Sequence, residues 1–289
     1  IRTEADIDVR NSRIELNLGS GVVVSGHLSM TRSSISSNAG DGAQSRGGAS
    51  ITDSDISKNS GVGVSIQGAL EMSDSIVSQN DLDGLAVIGE SNLDHIAVID
   101  NGRNGVVLSG HSAVTNAYVA DHEGDGIKVS NGNATLTNSR CARNDGNGLT
   151  INRGNGYQIK SGSIQDNGLS GIVIEDTLHF DDEASISSGI DVNGNGQNGI
   201  ELIGDSSIRL ESAVIAQNRG SGIYGAPENQ APSELTKISV DGNGRDGIDL
   251  PAGGQLTSIS AQGNGGHGIR LGTDSTMVDV VGSQNGQDG

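Results

Sequence analysis

The sequence predicts an all-β chain that folds as one continuous parallel β-solenoid of about 13 coils, each of 21–28 residues. Three observations predict this class. An Asn stands four residues before a Gly at regular intervals along the whole chain. Short aliphatic residues recur at fixed offsets from that pair. Large aromatic residues, which usually dominate the core of a globular domain, are nearly missing, since the 289 residues include one Phe, three Tyr and no Trp.

Each coil is marked by one anchor residue, the Asn of this pair, and only His122 departs from Asn. The first five steps between anchors and the last two are 21 residues long, and the steps between them are 22, 23, 28, 23 and 25 residues. The repeats cover residues 1–289 without a linker, so we expect a single domain. Because the chain begins and stops inside a coil, we interpret it as a fragment of a longer protein. The anchors are Asn17, Asn38, Asn59, Asn80, Asn101, His122, Asn144, Asn167, Asn195, Asn218, Asn243, Asn264 and Asn285.

Aliphatic residues define the strands of a coil. They stand one and three residues after the repeated Gly, and a further one stands three residues before the anchor. Apolar residues at i and i+2 indicate a strand with one buried face, so we expect two or three short strands per coil. Cys141 lies in the column before the anchor and is predicted to be a buried free thiol. The repeated Gly and the anchor Asn are expected to supply turns with positive φ, and the Asn side chains to form amide ladders along the axis.

Three stretches carry a resemblance to a known fold family: "NGLSGIVI" at 167–174, "NGRDGIDL" at 243–250 and "TNSRCARNDGNGLTI" at 137–151. They resemble repeats of the pectate-lyase-like superfamily, and similar coils occur in mannuronan C5-epimerases and in pertactin-type autotransporter passengers. The resemblance covers the whole chain and implies a single-stranded right-handed parallel β-helix. It is specific for fold rather than activity, because one fold hosts many functions.

The strand after the repeated Gly is where we expect a site. The resemblance implies that the corresponding sheet floors the substrate groove in polysaccharide-acting members of the superfamily. Side chains alternate along a strand, so the second and fourth residues after each repeated Gly point outward. Adjacent coils lie about 4.8 Å apart, and the outward residues of coils 8–12 therefore form one predicted patch. Its catalytic candidates are Glu175, Glu201, Tyr224, Asp249 and Arg270.

Acid–base chemistry is the role expected of this patch. Stacked like charges at Glu175 and Glu201 should raise one carboxyl pKa, which suits a general acid or base. Tyr224 is expected to protonate a leaving oxygen, and Arg270 to neutralise a uronate carboxylate. Two long segments, residues 175–186 and 224–235, are inserted just after this strand. The candidate ligand-binding residues on the same face and in the first insertion are Lys128, Asn152, Asp176, His179 and Phe180.

His122 lies in the stretch "VADHEGDGI", between Asp121 and Glu123. The stretch is similar to the Asp-Pro-His-Glu stretch of mannuronan epimerases, but it lacks the Pro. The His also lies in the turn rather than on the strand after the Gly. We therefore interpret His122 as a solvated turn residue. The nine-residue calcium repeat GGxGxDxUx is absent from the sequence, so the anchor Asn residues are interpreted as structural rather than as calcium ligands.

The net charge of −19 excludes nonspecific nucleic-acid binding, which needs a basic surface. It also repels acidic polysaccharides unless a local basic patch or bridging Ca²⁺ intervenes, so Ca²⁺ is the one cofactor that the composition suggests. No run of about 18 apolar residues exists that could span a membrane. The charge and the richness in Gly, Ser and Asn favour a secreted or cell-surface protein of a bacterium or phage. The outward residues Ala86, Ile88 and Val107 and the open solenoid ends are predicted sites for a partner or for self-association.

Two functions remain open at this stage. The first is a non-catalytic, surface-exposed rod that acts as an adhesin or as a glycan- or receptor-binding module. The regular repeat, the scarcity of aromatic residues and the lack of a transferable catalytic motif favour it. The second is a polysaccharide lyase or C5-epimerase that acts on uronan chains in the outward groove of coils 8–12. The inserted segments and the row of Glu, Tyr, Asp and Arg residues favour this enzyme.

Overall fold

The computed structural model describes residues 1–153, 156–175 and 185–289, which form β-strands and turns. None of these segments is a helix of the length and apolarity that a membrane crossing needs. The strands of the described residues are β1 Arg2–Thr3, β2 Ile7–Arg10, β3 Arg13–Glu15, β4 Val22–Val24, β5 Leu28–Thr31, β6 Ser34–Ser36, β7 Ala43–Ser45, β8 Ala49–Thr52, β9 Asp55–Ser57, β10 Val64–Ile66, β11 Leu70–Ser73, β12 Ile76–Ser78, β13 Leu85–Ile88, β14 Ser91–Asp94, β15 Ala97–Ile99, β16 Val106–Ser109, β17 Ser112–Thr115, β18 Tyr118–Ala120, β19 Ile127–Ser130, β20 Asn133–Ala142, β21 Leu149–Asn152, β22 Gly156–Gln165, β23 Ile172–Glu175, β24 Ser185–Asn193, β25 Ile200–Ile203, β26 Arg209–Glu211, β27 Ala213–Ala216, β28 Ile223–Gly225, β29 Ser233–Thr236, β30 Ser239–Asp241, β31 Ile248–Leu250, β32 Gly254–Gln262, β33 Ile269–Leu271 and β34 Thr276–Ser283.

These strands form two sheets with parallel pairing between successive coils. The front sheet takes one strand from each coil, in the order β1, β4, β7, β10, β13, β16, β19, β21, β23, β25, β28, β31 and β33. The back sheet contains the other 21 strands of the described residues. Within the back sheet the chain turns once per coil at a residue with positive φ, such as Arg32 (φ 47°) between β5 and β6. The predicted parallel β-solenoid of about 13 coils is therefore confirmed.

Aliphatic columns fill the space between the sheets. The residue after each repeated Gly is completely buried in every coil from Val22 to Ile248. Burying such a side chain contributes roughly 1.5–3 kcal/mol, so many short side chains replace the missing aromatic core. Cys141 is 1% exposed in the column before the anchor, and the predicted buried free thiol is confirmed. Burial raises the pKa of this thiol to about 12, because the thiolate loses its solvation.

The repeated Gly is required by close packing between coils rather than by its backbone conformation. The predicted positive φ is wrong both for this Gly and for the anchor Asn. A Cβ atom on Gly63 would lie 2.6 Å from the carbonyl oxygen of Gly84 and 2.6 Å from Val77 Cγ1. Positive φ falls instead on the residue before the anchor, for example Leu16 at 58° and Lys58 at 57°. Such a conformation costs a non-Gly residue about 1 kcal/mol, and the hydrogen bonds of the neighbouring coils hold it in place.

The predicted amide ladder of anchor side chains is confirmed. Asn Nδ2 donates to Oδ1 of the next anchor along the axis, at 2.9 Å from Asn59 to Asn80. The backbone N–H of Asn59 donates to the same oxygen at 3.0 Å. The Asn59 Nδ2 group also donates to the backbone oxygen of Ile35 at 3.2 Å. The ladder therefore satisfies buried polar groups of three successive coils at once.

His122 belongs to this ladder, so its interpretation as a solvated turn residue is wrong. It is 1% exposed. Its Nδ1 accepts the backbone N–H of Asn101 at 3.0 Å, which leaves Nε2–H to donate to the Val98 carbonyl at 3.1 Å. The imidazole thus takes the place of both the oxygen and the nitrogen of an Asn amide. Burial lowers the pKa of His122, because a charged ring would be desolvated there.

Candidate functional site

Two columns of side chains cover the outer face of the front sheet. The first column contains the second residue after each repeated Gly, and the second column contains the fourth. In the first column, Glu201 pairs with Tyr224, Tyr224 with Asp249, and Asp249 with Arg270. Neighbouring strands lie about 4.8 Å apart. Four of the five catalytic candidates therefore form one uninterrupted row, which we call the acidic row.

Glu175 does not belong to the acidic row. It lies in the second column, where its strand partner is Ile203, while Glu201 pairs with Val173. The prediction that Glu175 and Glu201 stack as like charges is therefore wrong, because the second and fourth residues after the repeated Gly lie in different columns. Glu175 instead accepts a hydrogen bond from Asn152 Nδ2 at 2.8 Å.

Tyr224 lies half-buried at the centre of the acidic row. Partial burial raises the pKa of its phenol, and the neighbouring charges of Asp249, Glu201 and Glu228 raise it further. Arg245 opposes this effect with its positive charge. The Tyr224 hydroxyl therefore stays protonated at neutral pH and can donate a proton or a hydrogen bond.

Arg270 is held by two carboxylates. Its Nε donates to Asp249 Oδ1 at 2.9 Å, and its Nη2 donates to Asp249 Oδ2. The same Nη2 lies 3.4 Å from Asp246 Oδ2. Asp249 is 4% exposed, so this forked pair is shielded on the carboxylate side. A substrate carboxylate would have to compete with Asp249 and Asp246 for Arg270, so the structure does not favour the expected role of Arg270 in neutralising a uronate.

Glu201 is positioned by two neutral donors. Its Oε2 accepts the hydroxyl of Ser170 at 2.7 Å and Nδ2 of Asn198 at 3.3 Å. Neither donor carries a charge, so Glu201 presents a fixed carboxylate without a cationic partner among the described residues. Such a carboxylate can accept a proton.

Sequence reasoning missed the column that supports the acidic row. This support column contains the residue just before each repeated Gly, including Ser170, Asn198 and Asp246. Its side chains bond both to the next coil and to the outward strand residues: Asn198 Oδ1 accepts the Ser221 N–H at 2.9 Å while its Nδ2 reaches Glu201. The signal was present, because this position is Ser, Asp, Asn or His in most coils.

Arg245 is a second residue that the sequence reasoning missed. Its side chain forms no ion pair or hydrogen bond with other residues of the described segments. It is exposed, and its charge is felt at Tyr224. It is therefore the free guanidinium beside the acidic row, whereas Arg270 is the bound one.

Two of the candidate ligand-binding residues, Lys128 and Asn152, lie on adjacent strands of the front sheet but in different outward columns. Lys128 pairs with Thr150 and Asn152 with Glu175, which places both before the acidic row along the axis. Asp176, His179 and Phe180 lie outside the described residues. The second insertion is anchored beside the row, because buried Asn229 donates to the Ser206 carbonyl at 2.6 Å. Within the described segments no group of three or more His, Cys, Asp or Glu side chains could hold a metal, and the role of Ca²⁺ stays a prediction.

The comparisons with known proteins agree with this architecture. Two crystal structures of the periplasmic alginate epimerase AlgG superpose with TM-scores of 0.55 and 0.51, at 11% and 10% identity, over 94% of this chain and 77% and 76% of theirs. The A-module of the Azotobacter vinelandii mannuronan C-5 epimerase AlgE6 gives a TM-score of 0.49 at 16% identity, over 93% of this chain and 88% of that one. At 10–11% identity the likeness to the two AlgG structures shows a shared fold alone. No curated protein matches the chain at a significant level. A family model for right-handed β-helix regions matches residues 1–119 and 104–285, and the chain therefore belongs to the right-handed β-helix family.

Proposed function

We propose that this chain is an exported enzyme that acts on a uronan chain laid across the acidic row, as a polysaccharide lyase or C5-epimerase. The observation that carries the proposal is the direct pairing of a proton donor with a proton acceptor. Tyr224 carries its phenolic proton at neutral pH, since the ordinary pKa of a phenol is about 10 and the site raises it. Glu201 on the adjacent strand is a carboxylate held by neutral groups.

The two groups can divide an elimination between them. Glu201 takes the proton from C5 of the uronate, and the electron pair of that bond forms the C4=C5 double bond. The C4–O bond breaks, and Tyr224 gives its proton to the leaving oxygen. In an epimerase the same carboxylate takes the C5 proton, and the phenol returns a proton to C5 from the opposite face. Both outcomes need the same pair of residues.

The charge of the site restricts how the substrate approaches. The charges of Glu201, Glu228 and Asp249 act on Tyr224 together with that of Arg245, and Asp246 lies beside Arg270. Because Arg270 is already bound by two carboxylates, we assign recognition of the uronate carboxylate to Arg245. An added divalent cation is expected to strengthen binding by lowering the repulsion between substrate and site.

Uronan turnover by purified protein tests the proposal. Alginate, pectate and related uronans are incubated with and without Ca²⁺, and unsaturated products and epimer ratios are measured. Glu201→Gln and Tyr224→Phe are each expected to lower turnover by at least about 100-fold, the usual contribution of a positioned acid or base. Glu71→Gln and Tyr118→Phe change the same residue types on the back sheet and should leave turnover unchanged. Full activity of Glu201→Gln would contradict the assignment.

A non-catalytic rod is the second candidate, favoured by the ion network of Arg270 with Asp249 and Asp246. In this network the charged groups of Arg270, Asp249 and Asp246 bind one another and therefore stabilise the fold instead of contacting a substrate. Thirteen coils span about 60 Å at the usual strand spacing, which suits an adhesin that binds a glycan or receptor. Glycan binding without any turnover would favour this rod. The exposed Ile88, beside Ala86 and Val107 on the front sheet, stays a predicted contact for a partner or second copy.

A further inference from the structure

A polar pocket lies on the front sheet at the opposite end from the acidic row. It covers the first four coils and has a volume of about 190 Å³. Small side chains form its floor, among them Val23, Ser25 and Ser65. Longer side chains rise around them: Arg2, Gln44, Arg46 and Gln67. The pocket therefore lies over the short side chains Val23 and Ser25, between coils that carry longer outward residues.

The pocket is rich in hydrogen-bond donors that have no partner. Within the described segments, the side chains of Arg2, Arg46, Ser65 and Gln67 form no hydrogen bond or ion pair. Each guanidinium carries five N–H donors. Glu4 is the one carboxylate that lines the pocket, and it accepts the Ser25 hydroxyl at 2.7 Å. The lining thus carries two positive charges against one negative charge.

This local charge is opposite to that of the whole molecule. The chain has 36 acidic residues and a net charge of −19. Some surface arginines are held by carboxylates, as Arg10 is by Asp8 and Arg143 by Asp121, whereas Arg2 and Arg46 have no such partner within the described segments. Two unpaired guanidinium groups facing one pocket, with amide and hydroxyl donors between them, match the oxygen atoms of an anion.

We propose that the Arg2–Arg46 pocket binds the carboxylate or sulfate group of an acidic polysaccharide. Arg2 lies in β1 and Arg46 directly follows β7, so the two arginines are two coils apart, about 10 Å along the axis at the usual strand spacing. Both charges therefore act on one anionic sugar or on two successive ones along the sheet. The pocket is a binding site distinct from the acidic row, and it does not depend on the reaction assigned there.

Isothermal titration calorimetry of the full chain with oligogalacturonate, which measures the binding affinity, tests this site. The measurement is made on the Tyr224→Phe variant, so that turnover does not consume the ligand. Arg46→Gln and Arg2→Gln are each expected to weaken binding by about tenfold or more, the loss of one hydrogen bond to a charged group. Arg32→Gln removes the same charge at the bend of the back sheet in the second coil and should leave binding unchanged. Binding should also weaken with added salt.

Further ligands identify the chemistry that the pocket recognises. A sulfated oligosaccharide should compete with oligogalacturonate, and a neutral gluco-oligosaccharide of the same length should not. Equal binding by the Tyr224→Phe chain with and without Arg46→Gln would overturn the proposal, as would equal affinity for the neutral sugar. Inorganic sulfate bound as tightly as the oligosaccharides would overturn the polysaccharide assignment. If turnover at the acidic row is never observed but these differences hold, the pocket stands and the proposed enzyme fails.

Discussion

His122 shows how one residue can replace an amide in a hydrogen-bonded column. Every other anchor presents one acceptor oxygen and one donor nitrogen on the same side-chain group. A neutral imidazole offers the same pair only when Nδ1 is bare and Nε2 carries the proton. Asn101 nevertheless lacks the side-chain hydrogen bond to the next anchor that the other Asn anchors make. Its Nδ2 donates to the backbone oxygens of Val77 and Ile99 instead.

His122→Asn is expected to stabilise the protein by about 1 kcal/mol, because it restores one amide-to-amide hydrogen bond. It should also remove a pH dependence. Burial lowers the pKa of His122 in the folded chain, so the unfolded chain binds the proton at higher pH. The wild-type stability that depends on the neutral ring is full above about pH 6.5 and is lost as the pH falls below that value. Thermal unfolding of both proteins between about pH 7.5 and pH 5 measures the difference.

Nearby acids act in the opposite direction, since Asp121 and Asp100 favour a charged His122. The comparison between wild type and variant isolates the ring, because all other titrating groups are shared. Parallel loss of stability in both proteins on acidification would show that His122 is not the responsible group.

Gly63→Ala is expected to destabilise the protein by about 1–3 kcal/mol, the usual cost of forcing extra volume into packed structure. The new methyl group would lie 2.6 Å from backbone oxygen of the next coil. Gly19→Ala is the matched control, because a Cβ there has no neighbour within 4 Å. Chemical denaturation of the two variants gives the measurement. Equal stability would mean that the coils can separate locally to accept a Cβ.

At the scale of the element, the amide ladder joins coils that contribute only a few residues each to a strand. Each rung links a buried side chain to the coils on both sides. A second and shorter ladder runs along the bend of the back sheet, where Ser33 N–H donates to Ser54 Oγ and Ser54 N–H to Ser75 Oγ. Side-chain columns therefore complete the backbone hydrogen bonding at the anchors and at the bend of the back sheet.

Asn59→Ala is expected to cost about 3 kcal/mol or more, because it leaves the buried Asn38 N–H without its acceptor and removes one acceptor of Asn38 Nδ2 and one donor to the Ile35 oxygen. Asn17→Ala removes the same amide from the exposed first rung and should cost less than about 1 kcal/mol. Urea denaturation of each variant tests the ranking. A similar small loss for both would indicate that water replaces the missing amide inside the solenoid.

At the scale of the whole molecule, the fold could be predicted because each local signal repeats about 13 times. Aliphatic columns, anchor Asn and repeated Gly all have spacings that only a stacked coil explains. The two positive-φ corners per coil could not be predicted, since residues as unlike as Leu16, Lys58 and Arg143 occupy them. Their conformation is imposed by the coils on either side and not by their own preference.

The candidate site was predicted only in part, for a similar reason. Alternation along a strand placed Glu201, Tyr224, Asp249 and Arg270 on one face. It did not separate the second from the fourth outward position, which is why Glu175 was grouped with them. Ion pairing between coils, as for Arg270 with Asp246, depends on side-chain reach and cannot be inferred from spacing.

The uniform 21-residue step has a consequence for folding. Coils one to five offer nearly identical columns, so a strand displaced by one whole coil would still meet aliphatic side chains, a Gly and an Asn. Such a displaced pairing loses few contacts within this part of the chain. His122 and the 22- to 28-residue steps break the equivalence, because consecutive steps in this part of the chain differ in length. We therefore expect the irregular middle of the chain to fix the register in which the uniform coils pair.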